Sequence, residues 1–101
     1  MNELLIQNLA SLKSLCSAYK VKNLYAFGSV LTDKFTDNSD VDFLVSFTPE
    51  VDLLDYADNF FDFRDDVKLL LGREIDLVEE SSISNPYFMK EINKNKVHIY
   101  G

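Results

Sequence analysis

A chain of 101 residues that is 47% hydrophobic has apolar material enough for one core and too little length for two. Its net charge of −7 excludes a general attraction to DNA, RNA or an anionic membrane, but not a nucleotide whose phosphates arrive with metal ions. A single cysteine, Cys16, excludes a disulfide framework and any multi-cysteine metal site, and no apolar run approaches the roughly 20 residues of a membrane span.

The opening Met1-Asn2-Glu3 lacks the basic start of a secretory signal, so a cytoplasmic, reduced setting is the expectation. Residues 3–19 carry Leu5, Leu9, Leu12, Cys16 and Tyr19 at helical spacing, with Asn2 as cap. Lys20 to Asn23 reads as the turn out of this helix. Leu24 to Phe27, closed by Gly28, predicts a buried strand. Ser29 to about Phe35 reads as a short helix or turn that Ser29 can cap, and Thr36 to Ser39 as a loop.

Asp40 to Phe47 alternates with period two and predicts a second strand. Val41, Phe43, Val45 and Phe47 share one face; Asp40, Asp42, Leu44 and Ser46 share the other. A long helix follows from about Asp52 to Leu71, with Leu53, Tyr56, Ala57, Phe60, Phe63, Val67, Leu70 and Leu71 on its inner stripe and Gly72 as stop. Its other side carries Asp55, Asp58, Asp62, Asp65 and Asp66, which read as a solvated face. Glu74 to Glu79 predicts a third strand, Asn85-Pro86 opens a helix to about Asn95, and Val97 to Tyr100 forms a short edge strand. The expected fold is one α/β (α+β) domain spanning 1–101, a small mixed β-sheet with helices packed on it.

The chemistry concentrates in three aspartates. Asp40 and Asp42, close together on one strand face, repel unless a cation intervenes. A hard divalent ion such as Mg2+ takes carboxylate and phosphate oxygens. Asp76 interrupts an apolar strand; beside the second strand it completes a three-carboxylate cluster of the kind that suits two metal ions in phosphoryl transfer. Gly28 lets the backbone approach a phosphate, and Ser29 offers a hydroxyl and an N–H at a helix start. Alone, a Gly-Ser pair is usually a turn and an Asp-x-Asp a solvated strand end; together, on these elements, they are far more specific.

Gly28-Ser29, ten intervening residues, Asp40-Val41-Asp42 and then Asp76 in a later strand resembles the nucleotidyltransferase superfamily that includes DNA polymerase beta and kanamycin nucleotidyltransferase. The short chain resembles its minimal nucleotidyltransferase (MNT) branch, and the similarity covers nearly the whole length. The resemblance implies that Asp40 and Asp42 hold the metals carrying the nucleotide, that Asp76 binds the catalytic metal and helps activate the acceptor hydroxyl, and that Gly28 and Ser29 hold the β- and γ-phosphates. It implies ATP as substrate and two Mg2+ ions as cofactors. It also implies a HEPN-domain toxin as partner, with AMP transferred to one of its tyrosines, so that this chain acts as antitoxin. Many relatives carry Arg-Gly shortly after the Gly-Ser; here the run is Gly28-Ser29-Val30-Leu31-Thr32-Asp33-Lys34-Phe35, with Lys34 as substitute positive charge.

Two other readings stand beside this one: a non-catalytic antitoxin that neutralises by contact, and a small-molecule nucleotidyltransferase whose pocket a second subunit completes. The aromatic segment Tyr56, Phe60, Phe61, Phe63 fits core packing with a share in a partner interface. His98 reads as structural or exposed, and Tyr87 and Tyr100 as sites of self-modification in principle only.

Overall fold

The computed structural model describes residues 2–101. Met1, which opens the expected 1–101 domain and the signal-free start, lies outside them. Helices α1 (Glu3–Gln7) and α2 (Leu9–Ala18) precede strand β1 (Val21–Phe27) and a 3-10 turn, Gly28–Leu31. Strand β2 (Val41–Phe47), a 3-10 turn at Leu53–Asp55, helix α3 (Tyr56–Leu71) and strand β3 (Ile75–Glu79) follow. A last 3-10 turn (Glu80–Ser82), helix α4 (Pro86–Asn95) and strand β4 (Val97–Tyr100) complete the chain. The four strands lie in the order β3-β2-β1-β4. β1 is antiparallel to β2 and β4, whereas β2 and β3 run parallel, so the sheet is mixed as expected. No helix among the described residues is long and apolar enough to cross a membrane.

The sheet buries both faces. On one, α2 and α3 pack Leu12, Cys16, Phe63 and Val67 against Val41, Phe43 and Val45, with Leu5 of α1 in the same cluster. Burial raises the Cys16 thiol to about 12, which leaves it an inert core group. On the other face, Ile92 of α4 packs on Phe27 and Leu44. The alternation of β2 thus sorts its residues as predicted, and Leu44, on the aspartate side, is covered by α4.

Four local expectations are corrected. The helix over 3–19 is interrupted at Asn8 (φ −108°, ψ 8°). The Asn8 side chain donates to the Leu4 carbonyl at 2.8 Å, the local competition with the backbone that makes Asn a poor helix-interior residue. β1 starts at Val21, not Leu24; only Lys20 (φ 59°) makes the turn, and the strand's polar start pairs with Ser46 and Phe47 across a register shift. The turn after β1 ends at Leu31 and has no side-chain cap; Thr32 instead closes it, its hydroxyl donating to the Ser29 carbonyl at 2.9 Å. Leu53, assigned to the inner stripe, lies in a 3-10 turn and is 87% exposed.

Other punctuation is as expected. Asn2 accepts from the Leu4 N–H at 2.7 Å, Asp52 from Leu54 at 3.3 Å, and Asn85 from Tyr87 at 2.9 Å with Pro86 in the first helical position. Gly72 ends α3 in the left-handed region at φ 66°, its N–H donating to the Lys68 carbonyl at 2.9 Å. A Cβ on Gly72 would meet no atom within 4 Å, so the cost of a side chain there is purely conformational. Gly72→Ala is therefore expected to destabilise the fold by about 1 kcal/mol, and Gly72→Asn by less, in urea denaturation.

Candidate active site

β2 and β3 place Asp42 directly beside Asp76, as register partners on adjacent parallel strands. Strands in such a pair are about 4.8 Å apart. Side-chain alternation puts both carboxylates on the α4 side of the sheet, where Leu44 and Val78, two residues further along each strand, pack with Ile92. On the opposite flank Asp42 pairs with Phe27, the last residue of β1. The next residue is Gly28, at φ +78°, a conformation few side chains tolerate. A Cβ on Gly28 would lie 2.1 Å from Asp42 Oδ2. The glycine is thus required twice, by its backbone angle and by the carboxylate against it.

Asp40 stands just before β2 and is exposed, as is Asp76, whereas Asp42 is half-buried. Burial, then the charge of Asp76, then that of Asp40, raises the Asp42 carboxyl to about 6. Among the described residues, no group of three His, Cys, Asp or Glu side chains is arranged to hold a metal ion. The arrangement is a register-locked pair, Asp42 with Asp76, and Asp40 as a more open neighbour whose charge reaches Asp42. Ser29, the second residue of the Gly28–Leu31 turn, engages through its carbonyl, which receives the Thr32 N–H and hydroxyl, both at 2.9 Å. The donor set is all hard oxygen, and burial together with the charges of Asp76 and Asp40 lifts Asp42; both features fit a divalent cation and its phosphate ligands.

The other singled-out residues fall elsewhere. Lys34 is exposed in the connection to β2, its own N–H bound to Thr32 Oγ1 at 3.2 Å. His98, on the far edge strand, binds the Gly101 carbonyl at 2.6 Å and meets the Tyr25 ring edge-on. Phe63 is fully buried and Phe60 packs on the core, while Phe61 is 47% exposed beneath the Arg64 guanidinium. Asp66 of the acidic face accepts a hydrogen bond from the Tyr19 hydroxyl, joining α3 to α2. Sequence reasoning missed Arg73, which reaches from just before β3 to the loop ahead of Asp40. The available signal was its rarity: the chain has two arginines, and this one stands between the helix-ending Gly72 and the third strand.

Residues 10–99 match the family described as the nucleotidyltransferase domain. A Methanocaldococcus jannaschii protein provisionally named a protein adenylyltransferase is 38% identical over 87 residues, covering 86% of this chain and 85% of its own length. A solved structure provisionally identified as a minimal nucleotidyltransferase superposes with a TM-score of 0.75 at 28% identity, covering 96% of this chain and 95% of its own. The MNT antitoxin complex with a tri-AMPylated HEPN toxin of Shewanella oneidensis superposes with a TM-score of 0.65 at 18% identity, over 95% of this chain and 71% of that one, a likeness of fold.

Two measurements test the site's internal strain. Gly28→Ala is expected to push the Asp42 carboxylate out of place, shifting its side-chain NMR resonance, while the core, which Gly28 does not join, stays folded by circular dichroism. Asp42 holds its proton to about pH 6 in the fold against 3.8 as its ordinary value. The folded chain therefore binds more protons in that window, so this group's stabilising contribution is complete below about pH 4 and is lost as pH rises through 6. In EDTA, Asp42→Asn is expected to raise Tm at pH 8 relative to wild type and to leave it little changed at pH 4. An equal effect at both pH values would mean that Asp42 is not held protonated by its burial and its acidic neighbours.

Proposed function

This chain belongs to the nucleotidyltransferase domain family, and we propose that it moves AMP from ATP onto a hydroxyl of a partner protein, a tyrosine of a HEPN-type toxin, and so acts as a cytoplasmic antitoxin. The observation that carries the chemistry is the Asp42–Asp76 pair, set side by side by strand register with Gly28 against it. A structure needing only a contact surface has no use for two like charges held together at a cost. The M. jannaschii relative's name supports a protein acceptor, and the AMPylated toxin in the S. oneidensis complex supports AMP as the transferred group.

In this reading Asp40 and Asp42 hold the metal ions that accompany the triphosphate, and Asp76 completes the set. Two bound Mg2+ ions would supply positive charge to the phosphates and carboxylates, lowering the repulsion an incoming oxygen meets. Gly28 admits the β- and γ-phosphates close to the backbone, with Ser29 donating to them. The acceptor's tyrosyl oxygen attacks the α-phosphorus in line as the bond to the bridging oxygen breaks and pyrophosphate leaves. Asp76 helps take up the hydroxyl proton as the new O–P bond forms. Exposed Leu53, Leu54 and Phe61 supply apolar surface of the kind a partner covers.

The test is mass spectrometry of a HEPN-type toxin encoded in the same genome, incubated with the chain, ATP and Mg2+. A tyrosine-linked AMP is expected, with the rate reduced roughly a hundredfold or more in Asp40→Asn and Asp42→Asn, the effect of a few kcal/mol of lost charge stabilisation. A partner neutralised equally well by Asp42→Asn, with no adduct, would mean that binding alone is the function.

A further inference from the structure

The connection from Ser29 to Asp40 has to deliver Asp40 beside Asp42, yet most of it is exposed and it contains no arginine. Its final turn closes on itself: Ser39 N–H donates to the Thr36 carbonyl at 3.0 Å, and Thr36 N–H to Ser39 Oγ at 3.0 Å. These bonds shape the turn without saying where it sits. Arg73 supplies that. Its Nη1 donates to the Thr36 carbonyl at 3.1 Å and to the Ser39 carbonyl at 2.9 Å, gripping both ends of the turn. Its guanidinium carbon also lies 4.5 Å from the centre of the Phe35 ring, whose other contacts are to the core. The residue after Ser39 is Asp40, and the residue after that, Val41, donates to the Glu74 carbonyl at 3.2 Å. Arg73 is three residues before Asp76 and is aimed by the left-handed Gly72.

We propose that Arg73 is the positioning residue of this site: it fastens the loop carrying Asp40 to the root of the strand carrying Asp76, so that the three carboxylates present a common face to a metal-bound nucleotide. The proposal rests on the nucleotidyltransfer reading for its ligand, but the clamp itself is independent of it. A lysine reproduces it poorly, because a compact ammonium cannot both keep its charge over the Phe35 ring and extend a separate terminal nitrogen to the two carbonyls.

The experiment compares Arg73→Ala, Arg73→Lys and Phe35→Leu with Lys68→Ala, which removes only the neighbouring ion pair to Glu74. Amide hydrogen exchange of each is measured alongside calorimetric titration with Mg2+ and ATP. In Arg73→Ala the amides of Asn38, Ser39 and Val41 are expected to exchange at least about tenfold faster while those of Leu24 and Phe43 are unchanged, and the Kd for ATP with Mg2+ to rise roughly tenfold. Arg73→Lys is expected to resemble Arg73→Ala, Phe35→Leu to fall between, and Lys68→Ala to match wild type. Unchanged loop exchange, or acceleration spread evenly through the core, would overturn the clamp. A loosened loop with unaltered ATP affinity would overturn its role in the site. Wild-type protein that takes up no ATP with Mg2+ would instead refute the nucleotidyltransfer reading, with loop exchange still deciding the clamp.

Discussion

Two carboxylates of like charge stand side by side because the strands beneath them have no other register available. Asp42 alternates with Val41 and Phe43, and Asp76 with Ile75 and Leu77, and those neighbours are buried against α2 and α3. A slip of one residue in either strand would turn an aspartate into that core and a phenylalanine, valine or leucine out of it. The apolar residues therefore enforce the electrostatic conflict, which adds to burial in raising the proton affinity of Asp42. Gly28 completes the constraint from the third side, since any side chain there would occupy the space of the Asp42 carboxylate.

The helices divide the labour. α2 and α3 cover the face that carries no site residue, and Tyr19, Asn59 and Asp66 tie them together, with Asn59 donating to the Tyr19 carbonyl at 2.9 Å. Their contribution to the site is to keep Phe43 and its neighbours buried. α4 covers the other face over Phe27, which stands beside Asp42, and over Leu44, while Asp76 on the β3 side stays exposed. The fold thus has one closed side that sets register and one half-covered side where chemistry is accessible.

Much of this was legible in the sequence, for reasons that can be named. The alternation from Asp40 to Phe47 is a local property, so it identified β2 and the face of Asp42 without tertiary information. Asn85-Pro86 and Gly72 are local signals too, and both helix ends fall where they indicate. The failures are equally physical. Lys22 and Asn23 resemble turn residues in composition, but a strand end can carry them where one side meets solvent and the other reaches Ser46. Asn8 interrupts a helix through a side-chain bond that spacing does not show, and Leu53 follows helical periodicity in a segment that is not α-helical. Arg73 was invisible because its meaning lies in carbonyls more than thirty residues away in the chain.

The parallel pairing of β2 and β3 sets a separation along the chain as well as a geometry. β1 and β2 are antiparallel neighbours in the chain, whereas β3 joins β2 only after the whole of α3 has crossed the sheet. Closing that longer connection is entropically the more demanding step. Asp42 and Asp76 thus come from segments separated by the whole of α3, and they stand together only where β3 is docked on β2. A chain that has not finished folding consequently has no paired carboxylates to offer a metal or a nucleotide.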